Sequence, residues 1–321
     1  MKTIALAIHL PPEFHRDEKQ CARFPGAAWV PHFYQMAEAA GFQVFSRPNG
    51  VPSYLIQEEL HPAGAEWINN GSIPVAVFCA ESPLYAYPFY DEIQRARYGT
   101  ESPLAAFDTK MLFYEGTEHL WFPSFDESQV VEPVEWEKRK LLCTVMANKH
   151  YQVMIRPDTG SLSWNFALKH QLHDERYMAL FHLQSMKALD LYGHGWEGRG
   201  KPCEDKIATI RDYQFCLAYE NGVYPGYVTE KAIDCFVAGV IPIYRGAPDL
   251  DEYLPRKAFI DPNEFSSWSS LVQYLKSMRP ETAREKIQAG RMFLRSDRGK
   301  KYQYRAFAER MLQKVIARVD Q

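Results

Sequence analysis

Residues 213–248 read YQFCLAYENGVYPGYVTEKAIDCFVAGVIPIYRGAP. The opening YQFCLAY is apolar almost throughout, as a parallel strand covered on both faces must be. Its polar end, Glu220 and Asn221, runs into a loop relaxed by Gly222, Pro225 and Gly226. Thr229 stands where an N-cap belongs, so the spacing predicts a helix over 230–238 with Ile233, Phe236 and Val237 inward and Gly239 as terminator. A strand over 240–244 follows, and Pro242 within it implies an edge or strand-start position. Strand, loop, helix and strand in this order are the repeating unit of an α/β fold with a parallel sheet.

The same alternation extends outward. Strands are predicted at 3–9, 42–45, 73–80, 141–147 and 190–193, and helices at 29–40, ended by Gly41, and 176–188. The acidic, proline-punctuated stretch FPSFDESQVVEPVEWEKRK (122–140) lacks helical period and reads as a linker. The expected organisation is a domain over 1–135, a second over 136–298 and an amphipathic helix over 299–321. In that helix Tyr304, Phe307, Met311, Val315 and Val319 recur at three- and four-residue steps, which suits packing on the body of the protein, with a membrane-surface or partner helix as the alternative.

With 321 residues, 46% of them apolar and 24% charged, the chain is too rich in core-forming groups for disorder. A net charge of −3 offers no footprint for a phosphate backbone, so nucleic acid is not an expected partner. The six cysteines are far apart, four of them inside apolar runs, and read as reduced buried thiols of a cytoplasmic protein. MKTIALAIHLPPEF is too short in apolar length to span a bilayer and lacks a cleavage signal, so it reads as a first strand. Membrane contact, if any, is expected to be peripheral.

Glu220, Asn221, Tyr227, Glu230 and Lys231 cluster at one end of an otherwise apolar strand and helix, where doubly wound sheets bind ligands. Lys231 in the first helical turn opposes the helix dipole by about 0.3–1 kcal/mol. An anion between them would reverse the sign. A solvated lysine paired with Glu230 or Asp234 is the plainer alternative, and the helix start is expected to be exposed.

The pattern YENGVYPGYVTEKAIDCFVAGVIPIYRGAP closely resembles the donor-binding motif of the α-1,3/4-fucosyltransferases. VAVFCAESP (75–83), AAFDTKMLFYEGTEHLWFPS (105–124) and LLCTVMANKH (141–150) resemble further segments in family order. The resemblance implies a GT-B architecture of two facing Rossmann-like domains, acceptor-binding then donor-binding, with the active site in the interdomain cleft. It implies inverting transfer of L-fucose from GDP-fucose to an oligosaccharide or glycoconjugate, α-1,3 to GlcNAc or Glc, with no obligatory cofactor or metal. Carried residue by residue, it puts donor binding on Arg176, Asn221, Tyr227, Glu230 and Lys231, and catalysis on Glu81 as general base with Glu230. Residues 148–173 match nothing in the pattern. The alternatives are a same-fold transferase of another GDP-deoxysugar, a nucleotide-sugar epimerase, and a silent glycan- or nucleotide-binding protein.

Three other signals compete. Asp249-Leu250-Asp251 has the Asp-x-Asp form of divalent-ion sites but follows a turn and reads as a solvated loop. His170 and His173 have helical ligand spacing without a third ligand. The glycines of YGHGWEGRG (192–200) suit either a phosphate or a surface loop.

Overall fold

Near-continuous apolar runs become central strands because a parallel sheet carries helices on its faces and leaves no wet side. The computed structural model describes residues 2–24, 26–46, 50–97, 102–114, 116–148 and 170–321. Residues 149–169, most of the stretch 148–173 that the sequence reading leaves unplaced, lie outside them. The chain divides into two compact units, Met1–Ser124 with Lys301–Gln321, and Phe125–Lys300.

The first unit is built on strands β1 (Thr3–Ala7), β2 (Gln43–Phe45), β3 (Tyr54–Glu58), β4 (Ile73–Phe78), β5 (Thr109–Leu112) and β6 (Glu118–His119), in spatial order β2-β1-β3-β4-β5-β6. Every pairing is parallel. The strands expected at 3–9, 42–45 and 73–80 are β1, β2 and β4, each somewhat shorter. Absent from the sequence reading are β3, β5 and β6; of these β3, whose apolar run of Tyr54, Leu55 and Ile56 is too brief to show a period, lies between β1 and β4.

The carboxyl-terminal helix Tyr304–Val319 returns to this first unit and packs on the helix Val30–Ala39 and on β4. Phe307, Met311 and Val315 of the predicted apolar stripe have no exposed surface. Phe307 meets Trp29 at 4.9 Å and Phe78 at 5.7 Å between ring centroids, both edge-on, the geometry that aromatic quadrupoles favour.

The second unit has strands β7 (Lys140–Val145), β8 (Asp190–Tyr192), β9 (Tyr213–Tyr219) and β10 (Ile241–Arg245), ordered β10-β9-β7-β8 and parallel throughout. Pro242 sits second in an edge strand, as its missing N–H requires. The helix Glu230–Ala238 ends at Gly239 in the left-handed region (φ 68°), as predicted. A side chain there would also collide with Arg291, 2.7 Å from the position of a Cβ.

In both sheets the first strand of the unit lies between its second and third, so each has a switch point where neighbouring crossovers leave in opposite directions. In the second unit that point is between the carboxyl ends of β7 and β9, where Met146 and Glu220 emerge.

Phe307→Ala should lower stability by about 3–5 kcal/mol, the usual cost of emptying a buried aromatic site. A urea midpoint unchanged from wild type would show that the helix is not anchored through this ring.

Candidate active site

Leaving β9, the chain places Glu220 with none of its surface exposed. A carboxylate in that position needs donors, because burying an uncompensated charge costs several kcal/mol. Glu220 Oε1 accepts the Thr229 N–H at 2.9 Å and the Tyr244 hydroxyl at 2.8 Å, and Oε2 accepts the Thr229 hydroxyl at 2.7 Å. The Lys231 ammonium completes the set 2.9 Å from Oε2. Gly246 after β10 is glycine for lack of room, since a Cβ there would lie 2.7 Å from Glu220 Cγ and from the Tyr244 hydroxyl.

Thr229 does hold the N-cap position, but its hydroxyl does not cap the helix. The oxygen is drawn to Glu220 instead, because a buried carboxylate is the stronger acceptor. Lys231 likewise departs from the expected exposed lysine. Its side chain is 18% exposed and donates to Thr229 Oγ1 at 2.8 Å and to Glu230 Oε1 at 3.5 Å. Burial works to lower its pKa, yet Glu220 and Glu230 carry it above the ordinary value.

Asp234 pairs not with Lys231 but with Lys206, 2.5 Å away, on the short helix Lys206–Arg211. Lys206 also lies 3.6 Å from Glu230, so Glu230 stands between two ammonium groups. Burial pushes the Glu230 carboxyl up, but Lys231 and Lys206 prevail and hold it down at about 2. For Asp234 burial wins over Lys206, and its carboxyl is raised to about 6.

Arg176, Asn221 and Tyr227 form a second line beside this cluster. The buried Arg176 guanidinium donates to Asn221 Oδ1 at 2.8 Å, and Asn221 Nδ2 donates to the Tyr227 hydroxyl at 3.4 Å. Arg176 is carried by the helix His173–Ser185, which starts earlier than predicted. Its position is fixed by backbone bonds: Leu172 N–H to Asn221 O and Val223 N–H to His170 O, each 2.8 Å. A hollow beside Arg176 is lined by Met146, Ala147, His173, Tyr177, Leu180 and Trp196, at the β7/β9 switch point. Five sequence-predicted donor residues are thus assembled at one sheet edge.

Glu81 belongs to the first unit, three residues beyond the end of β4 and half-buried. Its carbonyl accepts the Tyr90 hydroxyl at 3.0 Å and the Cys79 thiol at 3.3 Å, which fixes the turn. Two further carboxylates, the last residue of β3 and the one after it, stand at the same sheet edge. Glu58 accepts the His9 N–H at 2.8 Å and Glu59, with φ 50°, accepts the Cys79 thiol at 3.3 Å. The sequence reading missed both along with β3 itself.

Of the competing signals, Asp249 is tied to the loop between β9 and the Glu230–Ala238 helix, its two oxygens taking the Gly226 N–H at 2.8 and 3.1 Å. Gly193 is explained by packing, since a Cβ would fall 2.1 Å from the Met146 carbonyl oxygen. Among the described residues no group of three His, Cys, Asp or Glu side chains is placed to hold a metal ion. All six cysteines are free thiols.

Lys231→Met should cost about 3–5 kcal/mol, because Glu220 would stay buried without its cation. A loss below about 1 kcal/mol, the range of exposed pairs, would show that Thr229 and Tyr244 satisfy Glu220 alone. Glu230 binds fewer protons folded, at about 2, than unfolded, at about 4.3. Its contribution to stability is therefore complete above about pH 4.3 and lost as pH falls toward 2. Glu230→Gln should flatten that acid limb in pH-dependent denaturation, and an unaltered slope would assign the limb to other groups.

The model of the C-terminal domain of glycosyltransferase family 10 (fucosyltransferase) matches residues 159–286. Alpha-(1,3)-fucosyltransferase C of Drosophila melanogaster is 39% identical over 98 residues, 29% of this chain and 23% of that protein. The 4-galactosyl-N-acetylglucosaminide 3-alpha-L-fucosyltransferase 9 of Mus musculus is 28% identical over 145 residues, 44% of this chain and 34% of that protein. The chain thus spans between 23% and 34% of the length of these curated relatives. A crystal structure of an α1,3-fucosyltransferase with GDP-fucose aligns with TM-score 0.53 and 16% identity over 89% of this chain and 81% of that one. Sucrose-phosphate synthase from Thermosynechococcus elongatus aligns with TM-score 0.54 and 10% identity over 100% of both chains. At such identities the likeness is one of fold, the GT-B class of α/β glycosyltransferases. The segment that resembles glycosyltransferase family 10, the fucosyltransferases, thus falls within the second unit.

Proposed function

We propose that the chain transfers L-fucose from GDP-fucose to a glycan hydroxyl with inversion, forming an α-1,3 bond to GlcNAc or Glc. The observation that carries this is the gathering of Arg176, Asn221, Tyr227, Glu230 and Lys231 at the carboxyl edge of β9. That edge lies within the segment matched to the fucosyltransferase family.

The chemistry follows from the groups. A departing diphosphate needs positive charge where its own negative charge develops. Arg176 and Lys231 supply it, and the first turn of the Glu230–Ala238 helix, which the Thr229 side chain leaves uncapped, supplies N–H donors. Tyr227 and Glu230 hold sugar and ribose hydroxyls. Glu230 is ionised across the physiological range and favours the oxocarbenium-like charge that appears as the glycosidic bond breaks. The acceptor hydroxyl must give up its proton as it attacks, and Glu81 is the base that takes it. In this reading the diphosphate's counter-charge comes from side chains and no obligatory metal enters. The free thiols support a cytoplasmic setting.

Glu81→Gln keeps shape and most hydrogen bonding but cannot take a proton. GDP-fucose affinity by calorimetry should stay near wild type while transfer falls at least about 100-fold, the lower end of general-base contributions. A variant that retains most of its transfer would leave Glu81 a turn-forming residue, and a wild-type chain inert toward GDP-fucose and neutral glycans would overturn the functional reading.

A further inference from the structure

An ammonium has three N–H bonds, and among the described residues Lys231 has three oxygens around it: Thr229 Oγ1 at 2.8 Å, Glu220 Oε2 at 2.9 Å and Glu230 Oε1 at 3.5 Å. Any anion reaching Lys231 must displace one of them. Glu220 cannot leave, for it has no exposed surface, accepts three other hydrogen bonds and is closed over by Gly246. Thr229 is 2% exposed and bound to Glu220 through both its N–H and its hydroxyl. Glu230 has the longest contact, a side chain 17% exposed, and a second cation, Lys206, 3.6 Å away to receive it.

We propose that Glu220 is a positioning residue of the donor site: it anchors the Lys231 ammonium so that an incoming nucleoside diphosphate displaces Glu230 alone. The proposal rests on the donor reading above. Capture of the diphosphate and release of the Glu230 carboxylate toward the ligand's hydroxyls then become one event, because the two side chains are adjacent and share a contact. Glu220 itself touches no ligand, and it acts only through the ammonium that it holds.

The test compares GDP with guanosine, which has the same base and ribose without phosphate, by calorimetry on the full chain. Glu220→Gln keeps an acceptor for Thr229 and Tyr244 but turns an amide toward Lys231. GDP affinity should fall about tenfold or more, as for loss of a charge-assisted contact, with guanosine affinity unchanged. Equal losses for both ligands, or none, would overturn the proposal in favour of a purely structural role. In a Lys231→Met background the same substitution should cause no further loss of GDP affinity, and an additive loss would likewise overturn it. If Glu220→Gln does not fold, Glu220→Asp decides, since it keeps the carboxylate but draws it back from Lys231 by one methylene. Selective loss for GDP supports the assignment and parallel loss or no loss rejects it. A wild-type chain that binds guanosine and GDP equally, or neither, would overturn the donor reading and this proposal with it.

Discussion

A carboxylate with no access to water sits at the carboxyl end of β9, an inner strand of the second unit, and the site is arranged around its need for donors. Taking such a charge out of water is repaid only by close partners of good geometry. Glu220 draws them from β10 through Tyr244, from the helix entry through Thr229 and from the first helical turn through Lys231. Each donor loses its freedom in the exchange. The loop from Asn221 to Thr229, which would otherwise be the least constrained part of the unit, is pinned at both ends. It is pinned again in the middle by Asp249 at the Gly226 N–H. A cation held in this way before any ligand arrives is preorganised, and a preorganised charge does not have to reorient as a transition state forms.

The sheets supply the frame for that arrangement. Both units use the same strand order about their first strand, and the residues that emerge at the switch point of the second, Met146 from β7 and Glu220 from β9, border the Arg176 hollow and the Lys231 cluster respectively. The chain leaves the first unit and comes back to it as the terminal helix, whose Phe307 completes an aromatic group with Trp29 and Phe78. Residues nearly three hundred positions apart thereby share one core, so the first unit needs both ends of the chain.

What the sequence made legible was local. The run YQFCLAY, the Thr229 N-cap position and the Gly239 terminator gave the β9–helix–β10 unit almost to the residue, because period and turn chemistry are written in neighbouring positions. The five candidate donor residues could be named from the motif they form, and the structure brings them to one end of the sheet. Partners were not legible. Nothing near Lys231 in sequence says that Glu220, eleven positions back, will be its buried counter-ion, and nothing at all points to Lys206, which lies on a helix too short for a periodic signal. The same limit hid β3, and with it Glu58 and Glu59, since a short strand in the middle of a sheet is identified by its neighbours rather than by its own pattern. Thr229 shows the distinction within one residue: its backbone role followed from position, and the destination of its hydroxyl followed from a contact.

The charges of the cluster do not balance as drawn. Glu220, Glu230 and Asp234 stand against Lys206 and Lys231, three carboxylates to two ammonium groups. The raised carboxyl of Asp234, at about 6, is the consequence, since burial and a nearby Glu230 make the third negative charge the hardest to keep. Both ammonium groups of the cluster are thus committed to carboxylates, and an anion can gain either of them only by exchange. In the donor reading proposed above, one carboxylate yields its place to phosphate oxygens of equal or greater charge, and Arg176, held by the Asn221 amide, adds its charge beside them. Glu230 alone combines partial exposure with contacts to both ammonium groups, so the group that must yield is also the one whose hydrogen-bonding capacity is then released beside the ligand. An apolar replacement for the whole network could pack as well, but it could not perform that exchange.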